Sequence, residues 1–114
     1  MESSQLRKAL EDLPSHSLIT EIPEVQNAIG HLLKSNQEML EYDPNDPDLQ
    51  QAIRENKDLI KRKENQVDIT LQVIRERLGE AAWREMGSNV KEFREIHADA
   101  LKEARSNAEE GVFL

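Results

Sequence analysis

Apolar residues recur at steps of three and four through most of the chain. The longest such run is Leu49, Ile53, Asn56, Ile60, Lys63, Val67, Leu71, Ile74 and Leu78. These steps trace one stripe of an α-helix and match the seam of a coiled coil. Asp46 is a good N-cap and Pro47 a good first helical residue, and no proline follows. Gly79 is followed by good helix formers, so the pattern predicts a helix over 47–86, roughly 60 Å long. A second stripe precedes it: Leu18, Ile22, Val25, Ile29, Leu32, Asn36 and Met39, with Leu33 and Leu40 widening it. It predicts a helix over about 18–41, with Pro23 in its first turn or kinking it. Gly30 falls on the outer face, where it costs about 1 kcal/mol relative to alanine.

Between the stripes lies Glu41-Tyr42-Asp43-Pro44-Asn45-Asp46-Pro47, a stop and a restart. So short a connection makes the flanking helices antiparallel neighbours. Folding at the turn sets Leu32 near Asn56, Ile29 near Ile60 and Ile22 near Val67. The fold class is therefore all-α: a long antiparallel helical hairpin of coiled-coil type, with short helices over about 4–13 and 89–105. These form one unit over 1–105. Residues 106–114 read as a flexible acidic tail with an apolar end. Polar residues at seam positions, Asn36, Asn56, Lys63 and Thr70, fix register at a cost in stability or open locally to a partner.

Composition narrows the function. Charged residues make up 33% of the 114, aromatics 4%, and the net charge is −8. Such a chain repels nucleic-acid phosphate. The basic cluster Arg54, Lys57, Lys61, Arg62 and Lys63 is interleaved with Glu55, Asp58 and Glu64, as on a solvated helix face. There is no cysteine, hence no disulfide and no thiolate metal site. His16, His31 and His97 lack the spacing of paired ligands on one helical face, so no metal or other cofactor is expected. No apolar run is long enough for a signal peptide or membrane span, which points to the cytoplasm, with the nucleus also open. No nucleophile elbow or phosphate loop occurs, and a thin hairpin offers no desolvated pocket for acid–base chemistry. The expectation is a protein-binding chain and not an enzyme, without a small-molecule substrate. The terminal Val112, Phe113 and Leu114 read either as a frayed end or as a docking peptide.

Two segments resemble a known family. Glu24-Val25-Gln26-Asn27-Ala28-Ile29-Gly30-His31-Leu32-Leu33-Lys34-Ser35-Asn36 is similar to the first helix of the fungal, stress-induced, ATPase-dedicated chaperone of proteasome regulatory-particle assembly, a translation-machinery-associated protein. The likeness rests on Glu24, Asn27, Ile29, His31, Leu32, Ser35 and Asn36. Ile53-Arg54-Glu55-Asn56 matches the same family on the second arm, while the region from Gly79 onward has no match to it. The resemblance implies a helical hairpin that binds an AAA ATPase subunit of the proteasome base and promotes its pairing with a neighbour. Such subunits begin with coiled coils, so helix-on-helix association is the implied mode. Ile29, Leu32, Asn36, Ile53, Asn56 and Ile60 face the seam and have a structural explanation. Asn27, His31, Arg54 and Glu55 fall on outer positions, with Ser35 at the flank; these five are the candidate partner surface. Two other readings fit the hairpin: a prefoldin-like chaperone subunit, and a coiled-coil adaptor that self-associates through Leu33, Leu40, Leu59 and Val73.

Overall fold

The structure is a computed structural model that describes residues 3–113, with side chains described over 3–105. Five helices follow one another: α1 (Ser3–Glu11), α2 (Ser15–Tyr42), α3 (Pro47–Leu78), α4 (Glu80–Ile96) and α5 (Ala98–Phe113). No strand occurs among the described residues. Helices α2 and α3 form the antiparallel hairpin. The turn between them is fixed locally. Asp46 accepts hydrogen bonds from the backbone N–H of Asp48 (2.8 Å) and Leu49 (3.3 Å), with Pro47 in the first turn. Asp43 accepts from the Asn45 N–H at 3.0 Å, and the Gln50 amide donates to the Pro44 carbonyl at 2.9 Å.

Helix α3 is the axis of the molecule. Its 32 residues span about 48 Å, which equals the longest dimension, 48 Å. Its two halves differ. The half far from the turn is enclosed on several sides, by α2, α1 and α4. Val67, Thr70, Val73 and Ile74 are fully buried there. The Thr70 hydroxyl donates to the Gln66 carbonyl at 2.7 Å, which makes its burial acceptable. Helix α1 is tied down by ion pairing of Arg7 with Glu76 and by the Arg77 guanidinium, which donates to the Leu13 carbonyl at 2.6 Å. The same guanidinium also donates to the Leu10 carbonyl at 3.4 Å, a partner for the last turn of α1. Among the described residues, the half of α3 near the turn packs on α2 and, on one side, α5.

The element boundaries differ from the sequence expectation in five places. Helix α2 starts at Ser15 and carries Pro23 within it, on an exposed position where water can serve the freed carbonyl. The second arm ends at Leu78, not near residue 86. Gly79 adopts φ +97°, outside the range L side chains favour, and its N–H bonds back to the carbonyls of Ile74 and Arg75. Beyond it, α4 continues through Gly87 and Ser88, where a break is predicted, because Val90 and Phe93 keep its apolar stripe in phase. The next break falls at His97, whose ring lies 4.4 Å from that of Phe93. The backbone of α5 is helical to Phe113, over residues read as a loose tail.

Those last two helices fold back on the hairpin. Val90, Leu101 and Ala104 are buried against it. Arg94 reaches α3 and pairs with Glu64 (3.0 Å) and Asp68 (2.9 Å). The joint between α3 and α4 is held by Arg75, which pairs with Glu80 at 2.7 Å and lies 4.4 Å over the Trp83 ring. Trp83 therefore packs at this bend. The hairpin is thus not a bare ribbon: one of its two broad faces is partly covered.

Candidate partner-binding surface

The residues singled out as a partner surface lie between the middle of the hairpin and its turn. Along the seam, Ile29, Ile53 and Ile60 are buried, and Leu32 is half-buried against the core. Leu33, one position on, is buried instead, because α5 covers its side of the hairpin and leaves the Leu32 side open. Asn36 is buried and accepts a hydrogen bond from the Asn56 amide at 2.9 Å. Simple folding at the turn pairs Asn56 with Leu32; the two amides meet one helical turn closer to the loop. Farther along the same face the Gln66 amide donates to Glu21 at 2.7 Å. These two cross-seam bonds define the register of the arms.

Of the candidate partner residues, Asn27, His31, Arg54 and Glu55 are exposed and Ser35 is half-buried. They do not converge on one small patch. At about 100° per residue, Asn27 and His31 lie along the outer line of α2, and Arg54 and Glu55 flank that of α3. In a hairpin those two lines face opposite ways. Arg54 and Glu55 are further linked through Gln51, whose carbonyl accepts from Arg54 at 2.7 Å and whose amide donates to Glu55 at 3.1 Å. Val112 and Phe113 have no described side chains, and Leu114 lies outside the described residues.

Two features were not read from the sequence. The first is a charged cavity of about 260 Å³ between α3, α4 and α5, lined by Lys57, Lys61, Glu64, Asp68, Arg94 and Arg105. Burial raises the Glu64 pKa above the ordinary 4.5, against the opposing pull of Arg94. Glu64 belongs to the interleaved basic–acidic run, but its partner is 30 residues away on a helix whose path the pattern did not show. The second is a groove of about 440 Å³ at the turn end, between the hairpin and the start of α5. Gly30, Leu33, Leu40 and Ile53 line its hairpin side, and His97, Ala100 and Ala104 line the α5 side. The widened stripe of Leu33 and Leu40 is the one sequence signal that pointed toward it. Among the described residues no group of three or more His, Cys, Asp or Glu side chains is arranged to hold a metal ion. No described helix is long and apolar enough to cross a membrane.

Comparison with known proteins gives one match. Residues 2–81 match the TMA17 helical domain, from the start of the chain through both arms of the hairpin to the first residues of α4. No curated protein and no solved structure matches the chain. The match covers well over half of the sequence and takes in the whole α2–α3 hairpin, so the chain belongs to the TMA17 helical domain family.

Proposed function

We propose that the chain is a proteasome assembly chaperone that binds an AAA ATPase subunit of the regulatory-particle base and promotes pairing of that subunit with its neighbour. One observation carries this reading: the family match spans the entire hairpin. The likeness in 24–36 and 53–56 supports it, since those stretches lie on the two facing arms of the hairpin, between its middle and its turn. So does the exposure of Asn27, His31, Arg54 and Glu55, which have no role inside the fold beyond the surface bonds of Arg54 and Glu55 to Gln51. A hairpin presenting two helical edges suits association with the coiled coil of an ATPase subunit. The net charge of −8 favours a protein partner over nucleic acid. The prefoldin-like alternative needs strands to build its hub, and the described residues contain none.

The test uses the full chain against each base ATPase subunit purified separately. The double variant His31→Ala with Arg54→Ala is expected to keep its helical circular dichroism and to bind its subunit at least ten-fold more weakly. Unchanged affinity would remove these edges as the partner surface. Absence of binding to every subunit by the wild-type chain would remove the function itself.

A further inference from the structure

Helices α4 and α5 are held to the hairpin by unequal means. Helix α4 buries Val90, packs Met86 and Phe93 on the core, and ties Arg94 to Glu64 and Asp68 of α3. In α5, between Ala98 and Arg105, Leu101 and Ala104 are buried and the other six residues are exposed. Arg105 turns inward on its own helix and donates to the Leu101 carbonyl at 3.4 Å. The seat is loose as well, since a groove of about 440 Å³ stays open between α5 and the hairpin. The two helices meet at His97, where φ −103° and ψ 19° leave the helical range. One non-helical residue between two stiff helices is a place where a swing needs little else to change.

Helix α5 covers the side of the hairpin that carries Leu33 and Ile53. These residues lie in the two stretches similar to the chaperone family, 24–36 and 53–56. Within the family match over 2–81, α1 packs on α3 toward its far end and leaves this side bare. Helix α5, from beyond the match, fills it. We infer that α5 is a self-blocking cover, which occupies a helix seat on the hairpin and swings away about His97 when a partner helix takes its place. Helix α5 itself shows what the seat accepts: a helix set beside Leu33, Ile53 and Ile60 through two apolar residues one turn apart, here Leu101 and Ala104. The inference rests on the chaperone reading for the partner's identity alone, a coiled-coil helix of a base ATPase subunit. A partner that takes only the open form binds with an affinity reduced by the fraction of molecules that are open. Binding therefore tightens when α5 is loosened and weakens when α5 is tied down.

Two variants of the full chain act in opposite directions. Leu101→Ala removes the larger anchor. Lys34→Cys with Glu103→Cys puts thiols on the two walls of one groove, in a chain with no cysteine of its own, and a short bismaleimide links them. The same pair capped with N-ethylmaleimide is the unlinked control. Native-state hydrogen exchange and binding to separately purified base ATPase subunits are measured for each. The wild-type amides of 101–105 are expected to exchange at least ten-fold faster than those of 67–74, and linking to slow them. Leu101→Ala is expected to bind its subunit at least three-fold more tightly than wild type, and the linked pair at least ten-fold more weakly than the capped pair. Amides of 101–105 that exchange only together with those of 67–74 would make α5 part of the core and overturn the cover. A linked pair that binds like the capped pair overturns it while the chaperone reading stands, as does weaker binding by a fully helical Leu101→Ala. Wild-type binding to no subunit removes the chaperone reading, and the exchange result then decides on the cover by itself.

Discussion

Four polar side chains in or beside the core, Asn36, Asn56, Gln26 and Glu64, lead to specific substitution effects. The Asn56-to-Asn36 bond crosses the seam at 2.9 Å, and Asn36 is buried. Asn56→Ala strips the Asn36 carbonyl of its donor and is expected to cost about 1–3 kcal/mol. Replacing both with leucine should restore or exceed wild-type stability while loosening the register. Urea unfolding of the two singles and the double measures both effects; a double variant as unstable as the sum of the singles would contradict this. Gln26 is buried in α2 and its side-chain nitrogen has no hydrogen-bond partner among the described residues. Gln26→Met is therefore expected to stabilise the chain by about 1 kcal/mol, and a loss of stability on melting would contradict it. Glu64 governs a pH effect. Its folded pKa lies above 4.5, raised first by burial and lowered in part by Arg94. The native state thus holds this proton more tightly than the unfolded chain. The resulting stability is fully present below pH 4.5 and is lost as pH rises through the folded pKa. Glu64→Gln should remove that component from the stability–pH profile, and Arg94→Ala should push the Glu64 midpoint higher still by NMR titration. An unmoved midpoint would show that Arg94 does not hold the carboxylate.

At the scale of elements, the turn and the two arms were legible and the C-terminal third was not. Asp46, Pro47 and the two apolar stripes each encode a local event, a cap or an amphipathic face, and local events can be read from spacing. Gly79 and Gly87 show where this stops. Both follow a good helical run, but only Gly79 adopts positive φ; Gly87 stays helical, where nothing lies within 4 Å of an added Cβ. The stripe of Val90 and Phe93 stays in phase through Gly87 and packs on the hairpin, and the surface it packs on is not visible in local spacing. Leu32 and Leu33 make the same point, since which of them is buried depends on the side that α5 occupies. Gly79→Ala is expected to cost about 1 kcal/mol or more, because alanine is strained at φ +97°. Gly87→Ala is expected to stabilise by up to about 1 kcal/mol. Equal effects of the two on the melting temperature would contradict this account of the bend.

The whole molecule is a rod-like bundle, 48 by 27 by 23 Å, thick at one end and thin at the other. The thick end holds the core, with α1 and α4 packed around the far half of α3. The stretches that resemble the chaperone family run from the middle of the hairpin toward the thin end, over the buried seam of Ile29, Ile53 and Ile60. On the proposed reading, stability and recognition are separated along one axis. Substituting Ile74, which is fully buried, by alanine is expected to cost about 2–5 kcal/mol, whereas His31→Ala should leave stability within about 0.5 kcal/mol. Which edges of the thin end a partner touches was not legible, because exposure alone does not distinguish a contact from a solvated charge.

The central claim is that this hairpin binds an ATPase of the proteasome base. A tagged pull-down of the full chain from cell lysate, with the bound proteins identified by mass spectrometry, tests it most directly. The account predicts enrichment of base ATPase subunits without stoichiometric core particle. Recovery of no proteasome subunit would contradict it.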